Sequence, residues 1–230
     1  MSALSADELS AVLLSLKVAT VATLASLPFA IAIGWLLARR RFPGRLLVDA
    51  LVHLPLVLPP VVTGYALLVT LGRRGTVGAW LHDVLGITFA FRWTGAALAC
   101  AVMGFPLMVR AIRLSIEGVD RRLENAASTL GASPWRVFTG ITLPLAWPGI
   151  VAGAVLGFAK AVGEFGATIT FVSSIPGETQ TLSSAIYGLL QVPGAESRVW
   201  LLCGVSVAIS FIALLAAEAL VQRRRSEPAT

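Results

Sequence analysis

Five long stretches of this chain carry almost no charge, and that limits the architectures open to it. Residues 11–38, 46–71, 94–116, 148–172 and 199–221 each reach or approach the roughly 20 apolar residues that a helix needs to cross a bilayer core. In lipid no water is present to satisfy backbone N–H and C=O groups, so a spanning segment must satisfy them within itself, as a helix does. The composition agrees: 57% of the 230 residues are hydrophobic and 13% are charged, against roughly 25% charged in ordinary soluble domains. The expectation is an all-α membrane protein, one domain over 1–230, built as a bundle of about five core transmembrane helices. A sixth element is left open at 181–192, which is moderately apolar but too short to cross alone. It reads as a helix at the outer surface or one dipping into the mouth of a pathway.

The charges set an orientation. Twelve arginines fall in the segment after the first apolar stretch (Arg39, Arg40, Arg41, Arg45), around the loop 117–147 (Arg110, Arg113, Arg121, Arg122, Arg136) and in the tail (Arg223, Arg224, Arg225). Only Arg73, Arg74, Arg92 and Arg198 lie on the other side, with Asp83, Glu178 and Glu196. By the positive-inside rule the twelve face the cytoplasm, which puts the N-terminus outside and the C-terminus inside. The first ten residues lack a basic region and carry Asp7 and Glu8, so the first span is expected to stay in the mature protein rather than act as a cleaved signal. The net charge of +6 has no aromatic-interleaved basic face behind it, which argues against nucleic acid.

Other chemistries find little support. Cys100 and Cys203 sit inside apolar segments with no metal-ligand spacing. His53, one turn from Asp49, and His82, beside Asp83, belong to no metal cluster and read as polar anchors at the membrane interface. No glycine-rich phosphate loop of the P-loop type is present, so energy for transport has to come from a partner. No long segment is repeated, which argues against the internal repeats of many secondary transporters.

Between the third and fourth apolar stretches lies the one extended polar interruption. Asp120 is placed to cap a short helix ending at Leu130, Gly131 supplies a left-handed stop, and Ser133 followed by Pro134 opens a second helix at once. An amphipathic surface helix between two spans is one reading of this segment. However, Asn125-Ala126-Ala127, Gly131 after three intervening residues, and then Ile141-x-Leu143-Pro144 resemble the coupling loop of the membrane subunits of ATP-binding-cassette importers. The resemblance implies a cytoplasmic coupling helix docking into a cleft on an ATPase, through Glu124, Asn125, Ala126, Ala127, Gly131, Trp135, Arg136 and Phe138. That family usually carries Glu where this chain has Asn125; Glu124 does not simply replace it, because adjacent helical positions point about 100° apart.

Within the membrane, Pro55, Pro59 and Pro60 prevent a straight helix through the second stretch, so the backbone there either surrounds a pathway or only kinks to shape packing. Gly149, Gly153, Gly157 and Ala161 recur at intervals of four, a small-residue stripe that lets another helix approach, within the bundle or from a second subunit. Lys160 and Glu164, again four apart, either pair to hold the bundle or act near a pathway. A bare carboxylate repels an anion, so the hydroxyls of Thr63, Thr168, Thr170, Ser173 and Ser174, beside Gly64 and Glu164, are the candidate contacts along a route.

Residues 54–75 (LPLVLPPVVTGYALLVTLGRRG), 105–118 (FPLMVRAIRLSIEG) and 163–181 (GEFGATITFVSSIPGETQT) look like the permease subunit of bacterial molybdate importers, and the similarity runs from about residue 46 to the last span. It implies an inner-membrane homodimer that moves molybdate or tungstate and binds no cofactor itself. It further implies two ATPase subunits that use ATP and Mg, and an extracytoplasmic oxyanion-binding protein. Import of sulfate or another oxyanion is the rival within the class; a secondary transporter or membrane enzyme using Lys160 and Glu164 is the rival outside it.

Overall fold

The computed structural model describes residues 4–226 and is helical throughout, with no strand among the described residues. Its elements are α1 (Ala6–Arg39), α2 (Arg45–Val57), α3 (Pro60–Leu71), α4 (Thr76–Leu85), α5 (Trp93–Glu117), α6 (Arg121–Thr129), α7 (Pro134–Val137), a π-helical turn (Phe138–Thr142), α8 (Leu143–Leu145), α9 (Trp147–Val162), α10 (Gly166–Val172), α11 (Leu182–Leu189) and α12 (Glu196–Ser226). Helices α1, α5 and residues 196–216 of α12 are each long and apolar enough to cross a membrane. The total is five if each of two bent pairs, Arg45–Val57 with Pro60–Leu71 and Pro134–Leu145 with Trp147–Val162, counts as one crossing.

Helix α1 opens on a reciprocal capping box, with the Glu8 N–H donating to Ser5 Oγ at 3.3 Å and the Ser5 N–H to Glu8 Oε2 at 2.7 Å. Glu8 also accepts from Arg198 Nε at 2.8 Å, joining the start of α1 to the start of α12. Helices α1 and α5 run side by side in the same direction: Val18, Ala19 and Ala22 share a core with Ala96, Ala99 and Cys100, while Leu37 and Ala38 share one with Ile112 and Ile116. Helix α9 returns antiparallel along α5. A Cβ on Gly149 would lie 2.1 Å from Ser115 Cβ, one on Gly153 3.1 Å from the Met108 carbonyl oxygen, and one on Gly157 2.6 Å from Met108 Sδ. Of the two packings open to the small-residue stripe, it takes the one inside the bundle, and Cys100 Sγ continues the seam by donating to the Ala161 carbonyl at 3.5 Å.

Two of the apolar stretches do not cross as single rods. The second breaks at Leu58–Pro59, where α2 and α3 are bent by 113°. Pro59 and Pro60 offer no N–H to continue the ladder, and Pro60 is well placed as the first residue of a new helix. The fourth stretch stops at Val162, ten residues before the expected end at 172, and a separate helix starts at Gly166, where Glu164 Oε1 from just before it accepts the Ala167 N–H of α10 at 2.9 Å. Helices α3 and α10 pair where Gly64 faces Ala167, and a Cβ at Gly64 would sit 2.5 Å from the Ala167 carbonyl oxygen.

Within the segment 181–192, Leu182–Leu189 form α11, buried at its start and largely exposed from Tyr187 on. Its Leu182 N–H donates to Ser15 Oγ of α1 at 2.6 Å, and Leu182 and Ala185 join Ala11, Val12 and Leu202 in a third core. Helix α4 was not anticipated from the sequence. The signal for it was the run Gly72, Gly75, Gly78, three glycines at intervals of three that fold back on Leu71 and Val69; a Cβ on Gly78 would meet the Gly72 carbonyl oxygen at 2.0 Å.

Candidate functional site

The polar segment between α5 and α9 folds into a knob. Asp120 Oδ1 accepts the Arg122 N–H at 2.9 Å and starts α6. At the other end the Gly131 N–H donates to the Ser128 carbonyl and the Ala132 N–H to the Ala127 carbonyl, the paired closure of a Schellman motif. The motif needs a left-handed residue, and Gly131 has φ 86° with open space where a Cβ would be. Ser133 Oγ accepts the Arg136 N–H at 3.4 Å, Pro134 opens α7, and the chain passes through the π-helical turn toward the membrane.

The knob is fastened to the end of α1. Arg39 Nε lies 3.1 Å from Glu124 Oε2, with both side chains largely buried, and the Thr142 hydroxyl donates to Glu124 Oε1 at 2.6 Å. Another Arg39 nitrogen reaches the Val119 carbonyl at 3.0 Å. Phe138 sits between two tryptophans, edge-on to Trp35 at 5.9 Å and tilted to Trp135 at 5.7 Å. Between knob and α1 lies a cavity of about 420 Å³.

This sorts the coupling candidates. Glu124 faces inward onto Arg39 and Thr142, and Phe138 is half-buried on Trp35. Asn125, Ala126, Trp135 and Arg136 are exposed, as is Gly131; Ala127 is half-buried. The knob also exposes Leu130, at 89%, and Trp135, at 71%. Sequence reasoning missed Leu130 as a surface residue and missed Arg39, Thr142 and Trp35 as supports. Only the helix period of α6, which turns Glu124 away from Asn125, hinted at an inward carboxylate.

The membrane candidates gather at the two broken helices. Glu164 is 2% exposed and pairs with Lys160 Nζ at 2.5 Å, while its other carboxylate oxygen accepts the Ala167 N–H of α10. Thr168 is buried and donates to the Phe165 carbonyl at 2.9 Å; Thr170 donates to the Gly166 carbonyl at 2.8 Å. Their hydroxyl protons are thus committed to α10, leaving only lone pairs to offer elsewhere. Thr63 is 6% exposed and its hydroxyl has no hydrogen-bond partner among the described residues. Ser174 donates to Ser184 Oγ of α11 at 3.1 Å, and Ser173 is exposed with φ 64°, rare for a residue other than glycine. His53 Nδ1 lies 2.8 Å from the Asp49 carbonyl, whereas His82 meets Thr88 at 3.2 Å rather than Asp83. No group of three or more metal-ligating side chains occurs among the described residues.

Residues 30–226 match the family model of the binding-protein-dependent transport system inner membrane component. The chain is 62% identical over 222 residues to the molybdenum transport system permease protein ModB of Escherichia coli (strain K12), covering 96% of this chain and 97% of that one. It is 56% identical over 220 residues to the protein of the same name from Haemophilus influenzae, with 96% of each chain covered. Among solved structures, a bacterial alginate ABC transporter in complex with an alginate pentasaccharide-bound periplasmic protein gives a TM-score of 0.76 at 18% identity, covering 98% of this chain and 82% of that chain. At that identity the likeness concerns the fold alone.

Proposed function

This chain belongs to the family of binding-protein-dependent transport system inner membrane components, and from that premise we propose that it is the permease subunit of an ATP-driven importer of molybdate, with tungstate as a close analogue. The near full-length similarity to molybdenum permeases supports the substrate class. The observation that carries the mechanism is the knob. It presents Leu130 and Trp135 to the outside while Arg39, Glu124 and Thr142 hold its base. Large apolar side chains on a polar segment call for a protein cover. An ATPase that grips this face and changes shape on hydrolysis pulls on α1 through Arg39 and on α9 through the π-helical turn.

In this reading two copies of the chain form the pore, each engaging one cytoplasmic ATPase that binds ATP and Mg, and an extracytoplasmic protein delivers the oxyanion. The arginine-rich ends face the cytoplasm, the N-terminus lies outside, and the route passes the broken segments α2–α3 and α9–α10. Because Glu164 is neutralised by Lys160, a tetrahedral dianion does not meet a bare carboxylate there. The test is to assemble the chain with its ATPase and binding-protein partners and measure ATP hydrolysis with molybdate, tungstate, sulfate and phosphate in turn. Stimulation by molybdate and tungstate is expected; stimulation by sulfate alone transfers the chain to the rival substrate.

A further inference from the structure

Two cavities lie against α1, α2 and α5, and they differ in chemistry. The first is a groove of about 630 Å³ lined almost wholly by hydrocarbon, including Phe29, Ile33, Leu51, Pro55 and Phe105. Beyond the ends of the same three helices lies a second cavity of about 490 Å³, walled by Arg39, Arg40, Arg41, Arg45 and Arg121, with Glu117 as its only carboxylate. Both volumes fall within the range of about 300–1,000 Å³ typical of small-molecule sites.

The charges do not cancel. Glu117 is held by Arg113 at 2.9 Å, and Arg39 is held by Glu124. Arg45 and Arg121 each direct one nitrogen to a carbonyl in the last turns of α1, Leu37 at 2.7 Å and Ala38 at 3.4 Å, which fixes their guanidinium groups at the cavity and leaves other N–H donors over. Arg40 lies over Trp35 at 5.5 Å, and Arg41 is exposed with no ion-pair partner among the described residues. The rim is greasy: Leu46 and Leu47, next to Arg45, are 82% and 64% exposed, and Phe29 and Leu51 are 68% and 58% exposed. From Ile33 to Arg40 is about 10 Å of helix and from Ala25 to Arg40 about 22 Å, so the apolar cavity begins one short step into the membrane from the guanidinium groups.

The geometry points to an anionic phospholipid as the occupant, its phosphate among Arg40, Arg41 and Arg45 and one acyl chain lying in the groove between α1 and α2. Phosphate oxygens match the guanidinium fork, and a basic cavity at the end of membrane helices is the recognised setting for anionic headgroups. A second protein would have to bury several arginines against a surface of opposite charge and also fill a hydrocarbon slot. A lipid does both with one molecule.

The test uses the full-length chain with its partner subunits, reconstituted in bilayers of equal parts phosphatidylcholine and phosphatidylglycerol, then washed in detergent, with retained lipid measured by mass spectrometry. Each arginine at a membrane surface favours an anionic lipid by about fivefold, so the wild type should retain phosphatidylglycerol over phosphatidylcholine by at least about tenfold. The triple variant Arg40→Gln, Arg41→Gln, Arg45→Gln should fall close to parity, while the corresponding triple Lys variant keeps most of the preference. Leu51→Trp, which fills the groove with the charges intact, should lower retention of both lipids. Arg73→Gln with Arg74→Gln, remote from the groove, should change nothing. Parity in the wild type, or an unchanged preference in the triple Gln variant, overturns the assignment. Displacement of the lipid by millimolar inorganic phosphate makes it a free-phosphate site, and lipid-free protein in which Leu51→Cys cross-links to a second copy makes it a subunit interface; either result also overturns it. If the triple Gln variant does not fold, Leu51→Trp decides, and undiminished lipid retention by it counts against the proposal. Loss of lipid preference with oxyanion-stimulated ATP hydrolysis intact separates this inference from the importer reading.

Discussion

Arg39 in the last turn of α1 holds Glu124 in the first turn of α6 at 3.1 Å, across 85 residues of chain, and Thr142 holds the same carboxylate from the other side. One carboxylate thereby ties the knob to α1 and braces α6 against the π-helical turn that leads to α9. Replacing Glu124 by Ala removes a charge-assisted hydrogen bond and leaves the Arg39 guanidinium without its partner, at a cost of about 1.5–3 kcal/mol. Thermal unfolding in detergent should register that loss, and uptake should fall more steeply than ATPase binding, because the outer face with Leu130 and Trp135 is untouched. Glu124→Gln, which still accepts from Thr142, should lie between.

Gly131 tests the turn without touching the partner. Since nothing lies within 4 Å of where its Cβ would be, any penalty comes from the backbone at φ 86°. Gly131→Val should misdirect α7 and abolish copurification of the ATPase while the membrane bundle keeps its unfolding midpoint. Gly131→Asn, a residue that tolerates the left-handed region, should retain most binding. Equal loss in both variants would point to a side-chain clash with the partner instead.

The seam between α5 and α9 ranks its own substitutions. At Gly149 a methyl group would collide with Ser115 Cβ on a rigid helix, whereas at Gly157 it would press on the flexible end of Met108. Gly149→Ala should therefore destabilise by about 1–3 kcal/mol and Gly157→Ala by clearly less, as read from unfolding midpoints. A reversed order would mean that Met108 is the stiffer neighbour.

These relationships show what a one-dimensional reading can and cannot reach. The helices α1, α5 and α12 follow from long apolar runs, because lipid leaves the backbone no alternative, and the caps at Asp120, Ser133 and Gly131 are local chemistry visible in neighbouring residues. Arg39 with Glu124, and Leu182 with Ser15, are separated by 85 and 167 positions, and no local pattern encodes them. The break at Glu164 was hidden for a different reason. Hydropathy runs on through Gly163 and Gly166, and only the carboxylate's choice of the Ala167 N–H shows where one helix ends and the next begins. The candidate hydroxyls were legible as residue types, but not which of them already donate to their own helix.

Lys160 and Glu164 make a sharper prediction than either residue alone. Lys160→Ala strands a carboxylate that is 2% exposed, but the Lys160 side chain is 29% exposed, so the cost should fall below the roughly 3–5 kcal/mol of a fully buried pair. Lys160→Met combined with Glu164→Gln removes both charges and keeps an acceptor for the Ala167 N–H. The double variant should recover the unfolding midpoint lost in Lys160→Ala. If it also recovers uptake, the pair is structural; if the fold returns without transport, the charges act on the moving ion.

The most direct measurement is uptake of labelled molybdate into vesicles that hold this chain, its ATPase and the binding protein, with ATP or a proton gradient supplied separately. The account predicts accumulation with ATP only, its loss with vanadate, and its loss in Gly131→Val vesicles. Accumulation by this chain alone on a proton gradient, without ATPase or ATP, would contradict it.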